Sequence, residues 1–347
     1  MSRNITESIK RVVRKIKALI NTEGNYSIYG DDTSEDWLTH LKIDNKIRLF
    51  PDFYSAWLTC QNSHYLVLVN RGFSSQFPSF LQEETLNSGA WVVIIDELDL
   101  SIKKDADISI LEEILDNEWK TEKTRNGEEF KSVNIEEEIN GYTLKDFFPR
   151  IALYKIIDRF TQKEELNQIT GIALTESNSY CLLPYSTEVL QEFKNTFENG
   201  NKYIPFENIL ASYVASDFKF AYLDLYRCIE ALQPLYFLKA FYDQLALTGK
   251  SLQNFYSDFY ETTKLEPKLE DSLNKLLGSI SINYQYAKKH NINSGSYLYK
   301  LRNQIVHLRP NQKNDLLPKS IDDWNLLIFD MLTIVQELYK ANQDLLT

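Results

Sequence analysis

From the turn-rich segment ENGNKYIP at residues 198–205 to the C-terminus, apolar residues recur only at helical spacing. A run of amphipathic helices cannot bury its apolar stripes except against other helices, so this part of the chain predicts a bundle of four or five. Its first helix holds Phe218, Ala221, Tyr222, Leu225, Cys228 and Ile229 at helical spacing up to Pro234. There a kink or break is expected, because proline lacks a backbone donor and crowds the preceding turn. Shorter helices follow from about Ser251 to Thr263 and from Pro267 to Leu277, then YLYKLRNQIVHL (297–308) and finally DDWNLLIFDMLTIVQELYKAN (322–342).

The preceding residues are mixed. Residues 4–20 place Ile5, Ile9, Val12, Val13, Ile16 and Ile20 on one stripe with Arg and Lys mostly opposite, which predicts a docked surface helix. HYLVLVNRG (64–72), GAWVVIIDELDL (89–100) and TGIALTES (170–177) read as buried strands. ISILEEILDNEWK (108–120) and YTLKDFFPRIALYKIIDRF (142–160) read as helices, and the glutamate-rich 121–141 as a solvated loop or hairpin. The expected fold class is therefore α+β. A mixed α/β domain at 1–205 precedes an all-α domain at 206–347, with the boundary near 200–212.

At 347 residues, two cores are the better expectation for such a chain. No apolar run approaches the roughly 18 residues of a spanning helix, and the first 20 residues lack a signal-peptide block, so a cytoplasmic protein without membrane contact is expected. Cys60, Cys181 and Cys228 are scattered and lie far from any ligand spacing, which fits a reduced compartment and no bound metal or other cofactor. The net charge of −11, taken over the whole chain, argues against a polyanionic partner. From Ala211 onward, however, 15 bases balance 15 acids, so the whole excess lies earlier. Between Asp271 and Asp315 there is no acid, while Lys275, Lys288, Lys289, Lys300, Arg302, Arg309 and Lys313 are all basic.

Two chemistry-bearing lookalikes fall in the remaining chain. LTGKS (247–251) resembles the end of a phosphate loop, with VVIIDE (92–97) as its acid strand, but the glycine required five positions before Gly249 is Gln244. A metal-dependent nuclease would use Asp96 at a strand end with Glu118 and Lys120, two carboxylates for a divalent ion and a lysine for the attacking water. Glu118 and Lys120 follow a helical pattern, which counts against it. His40, His64 and His290 have no partner at informative spacing.

The segment KLRNQIVHLRP (300–310) lies within the acid-free stretch. Pro310 biases Arg309 away from helix, so the helix stops near Leu308 and His307 falls in its last turn, where the macrodipole favours imidazolium. At 100° per residue Asn303 and His307 stand about 40° apart, whereas Arg302 and His307 diverge by about 140°. A long arginine reaches around the helix, or the two groups meet across a dimer.

RNQIVH (302–307), with YLDLYRCIEAL (222–232) on the first bundle helix, resembles the HEPN superfamily (higher eukaryotes and prokaryotes nucleotide-binding). Its signature is Arg, four to six residues, then His, on a late helix of a small bundle. The resemblance covers about residues 212–345 and none of the first 200.

It implies a metal-independent endoribonuclease that acts as a homodimer on RNA and serves as the toxic effector of an antiviral defence or toxin-antitoxin system. His307 would be general base or acid, Arg302 would stabilise charge growing on phosphate, and Asn303 would orient His307 or a phosphate oxygen. Lys300, Arg309 and Lys313 would bind the substrate backbone. A regulatory or antitoxin protein is an expected partner. The competing expectations are an inactive HEPN-like interaction or sensor protein and the metal-dependent nuclease of the first domain. Arg227 and Glu230 are expected to form a buried structural pair.

Overall fold

The computed structural model describes residues 5–20, 26–29, 32–73, 78–116, 121–123, 129–244, 251–263, 269–281, 284–290, 294–307 and 316–346. The chain divides into two compact units, Met1–Leu166 and Asn167–Thr347. It is α+β, with every described strand in the first unit.

The first unit is built on a five-stranded antiparallel sheet of order β2-β3-β4-β8-β5. Strands β2 (Lys42–Phe50), β3 (Phe53–Cys60) and β4 (Ser63–Val69) form a meander, β8 (Ile151–Ile156) lies beside β4, and β5 (Leu81–Glu84) closes the far edge. A small sheet carries β1 (Tyr26–Tyr29) parallel to β7 (Glu129–Asn134), with β6 (Thr121–Lys123) antiparallel on its other side. One core joins Ala56, Leu58, Val67 and Leu153 of the large sheet to residues of helices α1 (Ile5–Lys17), α3 (Ser88–Glu97) and α4 (Ile108–Asp116). Helix α1 docks as its stripe predicts, with Val12, Val13 and Ile16 buried. The short α2 (Asp32–His40) packs beside α3.

Three sequence expectations are overturned here. The run 92–97 belongs to α3, a helix in which every residue from Gly89 to Ile95 is buried. A helix apolar all round has no 3.6-residue period, and its β-branched residues imitate a buried strand. Its start is set by Asn87, whose side chain accepts from the Ala90 N–H at 2.9 Å. The stretch 142–160 is a 3-10 turn at 144–147 followed by strand β8, because the run of apolar residues across Pro149 belongs to two elements. Residues 170–177 fall mostly in helix α5 (Leu166–Glu176) rather than a strand. By contrast HYLVLVNRG contains β4, and β6 and β7 form the hairpin expected within 121–141.

The second unit is helical throughout its described residues. After α5 come α6 (Thr187–Asn199), α7 (Phe206–Tyr213), α8 (Phe218–Gln244), α9 (Leu252–Thr263), α10 (Leu269–Leu277), α11 (Gln285–His290), α12 (Ser294–Val306) and α13 (Ile321–Ala341). The division therefore falls near 166, not near 205. Helices α5 to α7 belong with the bundle: Gln336 of α13 donates to Thr196 of α6 at 2.8 Å, and Tyr213 of α7 donates to the Leu174 carbonyl of α5 at 3.2 Å. The turn at 198–205 is thus an internal loop, tied back by Asn201 to the Tyr339 carbonyl. Helix α8 continues through Pro234 without a break. Lacking an N–H, Pro234 leaves the Glu230 carbonyl without its usual helical donor.

Candidate functional site

Helix α12 presents RNQIVH at its C-terminal end. It is positioned by Tyr222 of α8, wholly buried, whose hydroxyl donates to the Leu298 carbonyl at 2.7 Å. Tyr297 adds a second anchor, donating to the Leu316 carbonyl at 2.8 Å. Leu298 and Leu301 are buried, which turns Arg302 and Asn303 to the half-buried flank and Lys300, Val306 and His307 outward.

One turn of α8 beyond Tyr226, Glu230 meets Arg302 at 3.3 Å, and a second guanidinium nitrogen donates to Asn303 Oδ1 at 3.1 Å. Both charged side chains are about three-tenths exposed or less, at 26% for Arg302 and 30% for Glu230, so water screens the pair only in part. Burial pushes the Tyr226 phenol up. The Glu230 charge adds to that and Arg302 opposes it, which places the ring beside the ion pair. Arg302 is therefore fixed before any ligand arrives, by one carboxylate and one amide oxygen.

His307 closes the helix: its backbone N–H bonds the Asn303 carbonyl at 2.9 Å, while the residue itself lies just past the last helical position. The ring is exposed and, among the described residues, makes no hydrogen bond or ion pair. The structure thus brings Arg302 and Asn303 together, and the His307 ring makes a hydrogen bond to neither. Lys300 is exposed on the same helix. Arg309 and Lys313 lie outside the described residues, as do Glu118, Lys120 and the phosphate-loop lookalike at 247–250.

Sequence spacing misses the partner choices. Arg227 pairs with Asp224, one turn back on its own helix, and Glu230 is left for Arg302. No local pattern announces a contact between residues 72 positions apart. The acid-free stretch is also not acid-free in space, since Lys289 meets Asp323 of α13 at 2.7 Å. Asp330, also of α13, accepts from the Gln285 and Tyr286 N–H groups at the start of α11.

In the first unit Asp96 is at the end of helix α3 and not at a strand end. Arg11 of α1 grips both its oxygens at 2.6 Å, and its side chain is 5% exposed. Burial pushes this carboxyl up, but hydrogen bonds from Arg11 and Ser8 and the charges of Arg11 and Lys15 outweigh burial and hold it below the usual range. A carboxylate so engaged has little left to offer a cation. Among the described residues no cluster of three or more His, Cys, Asp or Glu could hold a metal, and no helix is long and apolar enough to cross a membrane.

A scan of protein-family models, a search of curated proteins and a search of solved structures each found no match.

Proposed function

We propose that this chain is a metal-independent endoribonuclease of the HEPN type, with Arg302, Asn303 and His307 as its reacting groups. The observation that carries the reading is Arg302, held in place by Glu230 and Asn303 five residues before an exposed imidazole. RNA supplies its own nucleophile. The 2′-hydroxyl attacks the adjacent phosphorus, the new P–O2′ bond forms as the P–O5′ bond breaks, and the products are a 2′,3′-cyclic phosphate and a 5′-hydroxyl.

In this reading His307 takes the 2′-hydroxyl proton or delivers a proton to the departing 5′-oxygen. The Arg302 guanidinium faces the charge that grows on the phosphate oxygens. Since the His307 ring and Arg302 make no hydrogen bond within one chain, the complete site is proposed to form from two copies. Exposed Val306, 47% accessible beside His307, suits such a contact. The setting as a toxic effector restrained by a partner protein rests on the family resemblance alone.

The test is incubation of the purified chain with total RNA in EDTA. Cleavage should persist and should fall about 10²- to 10⁴-fold in His307→Ala. Arg302→Ala should cost about 10²- to 10³-fold. A strict metal requirement would assign cutting elsewhere, and a monomer that cuts at full rate would remove the two-copy site.

One observation favours a second reading, an assembly protein that does not cut: Glu230 already occupies the guanidinium that would stabilise the phosphate. Wild-type protein inert towards RNA, with Arg302→Ala altering only stability or oligomeric state, would select it.

A further inference from the structure

The first unit carries most of the acidic excess of the chain, yet one of its surfaces gathers cations. An open groove of about 890 Å³ runs between strand β2, the turn after it and the segment that follows helix α3. Lys46 and Arg48 reach it from β2, and Lys103 and Lys104 from the opposite wall. Among the described residues none of these four meets a carboxylate. Lys46 donates to the Glu97 carbonyl at 2.9 Å, Lys103 to the Asp146 carbonyl at 2.8 Å, and Arg48 to the Pro51 carbonyl at 3.1 Å. Lys46, Arg48 and Lys103 are therefore aimed by neutral acceptors, and Lys104 is exposed next to Lys103. Of the acids in the lining, Asp99 meets Lys15 at 2.6 Å, and Asp105 lies beside Lys104 in the chain.

The walls are set in advance. Asn70, in the left-handed region at φ 63°, donates its side-chain amide to the Asp52 carbonyl and its N–H to the Arg150 carbonyl, which ties the β2–β3 turn to the end of β4. The Arg48 guanidinium lies 5.0 Å from the centre of the half-buried Tyr54 ring. A guanidinium held over an aromatic ring on an exposed side chain offers a platform for a second planar group. The volume of the groove lies within the range of small-molecule sites.

We propose that this groove binds a mononucleotide. Its base stacks on the open face of Arg48, its phosphates take charge-assisted hydrogen bonds from Lys103 and Lys104, and its ribose hydroxyls donate to Asp105. A purely anionic ligand leaves the Arg48 platform unused. A nucleoside leaves the lysines unused. The assignment is independent of the ribonuclease reading, because it concerns the other unit and its readout is binding.

Isothermal titration of the full chain in about 150 mM salt, which screens loose surface charge, tests it with ATP, GTP, adenosine and pyrophosphate as probes. At least one of the two nucleotides should bind in the micromolar range, with adenosine and pyrophosphate each weaker by about tenfold or more. Arg48→Ala and Lys104→Glu, both exposed positions, should each weaken nucleotide binding about tenfold, while Lys10→Ala on the outer face of α1 should not. No binding of ATP or GTP up to about 1 mM overturns the proposal, as does nucleotide binding that ignores both groove substitutions. A short single-stranded RNA that binds more tightly than either nucleotide and is lost in the same variants also overturns it, in favour of a nucleic-acid surface.

Discussion

Replacing Arg11 with alanine removes the partner of a carboxylate that is almost completely buried. In the folded chain Arg11 makes two charge-assisted hydrogen bonds of 2.6 Å to Asp96, whose side chain is 5% exposed against 50% for Arg11. Breaking a fully buried pair costs about 3–5 kcal/mol, because the surviving charge is left without compensation. Half of the arginine is already in water, and solvent can enter where it leaves, so about 2 kcal/mol is expected. For a unit of this size that is a drop in Tm of about 4–8 °C. Four of the five tryptophans, Trp37, Trp57, Trp91 and Trp119, lie in the first unit, so tryptophan fluorescence in urea follows its unfolding.

The pH dependence gives the prediction its sign. The folded-state value of Asp96 is lowered from 3.8, so its contribution is complete above the unfolded value and is lost as pH falls through the folded one. In Arg11→Ala burial then dominates and Asp96 protonates earlier. The gap between variant and wild type should therefore be widest near neutrality and close as the pH is lowered below about 4. A loss under about 0.5 kcal/mol at pH 7, or one that persists unchanged at pH 3, would refute the anchoring role of the pair. RNA cleavage, if it resides in the second unit, should be unaffected.

Three further outcomes are expected. Gly171→Ala in α5 places a Cβ 2.2 Å from two carbons of the buried Phe197 ring, which should cost about 1–3 kcal/mol or more by urea unfolding of the second unit. Burial raises the Asp330 carboxyl, only partly offset by the N–H groups of Tyr286 and Gln285, so its ionisation costs stability as pH rises from about 3.9 through the raised value. Asp330→Asn should flatten that step in a stability-versus-pH series. Trp91→Ala, which empties the site of a side chain packed edge-on against Phe148 in the first core, should cost about 3–5 kcal/mol and leave the unfolding of the second unit unchanged.

The elements that were legible are those with one dry and one wet face. Helix α1 shows an apolar stripe opposite a basic one, and the later helices of the second unit, such as α9, α10 and α13, repeat their apolar residues at helical spacing, so their type follows from periodicity, whereas α5 reads as a strand. Helix α3 and strand β8 were misread for complementary reasons. The first is buried all round and loses its period, and the second adjoins a 3-10 turn across Pro149 in one continuous apolar run. Asn87 was the available signal for α3, an N-cap residue immediately before the run.

The residues Arg302 and Asn303 on one helix, with His307 at its C-terminal end, follow from the sequence by itself, because helical geometry is local; the helix expected to stop near Leu308 ends at Val306, so His307 falls just outside it. That Arg302 is held by Glu230, that Lys289 and Asp323 meet, that Asp96 is gripped by Arg11 and that four cations from opposite walls share one groove were decided by tertiary structure alone. Each depends on bringing together side chains from elements distant in the chain. Periodicity states which face of an element is buried, and only the packed fold states what that face is buried against.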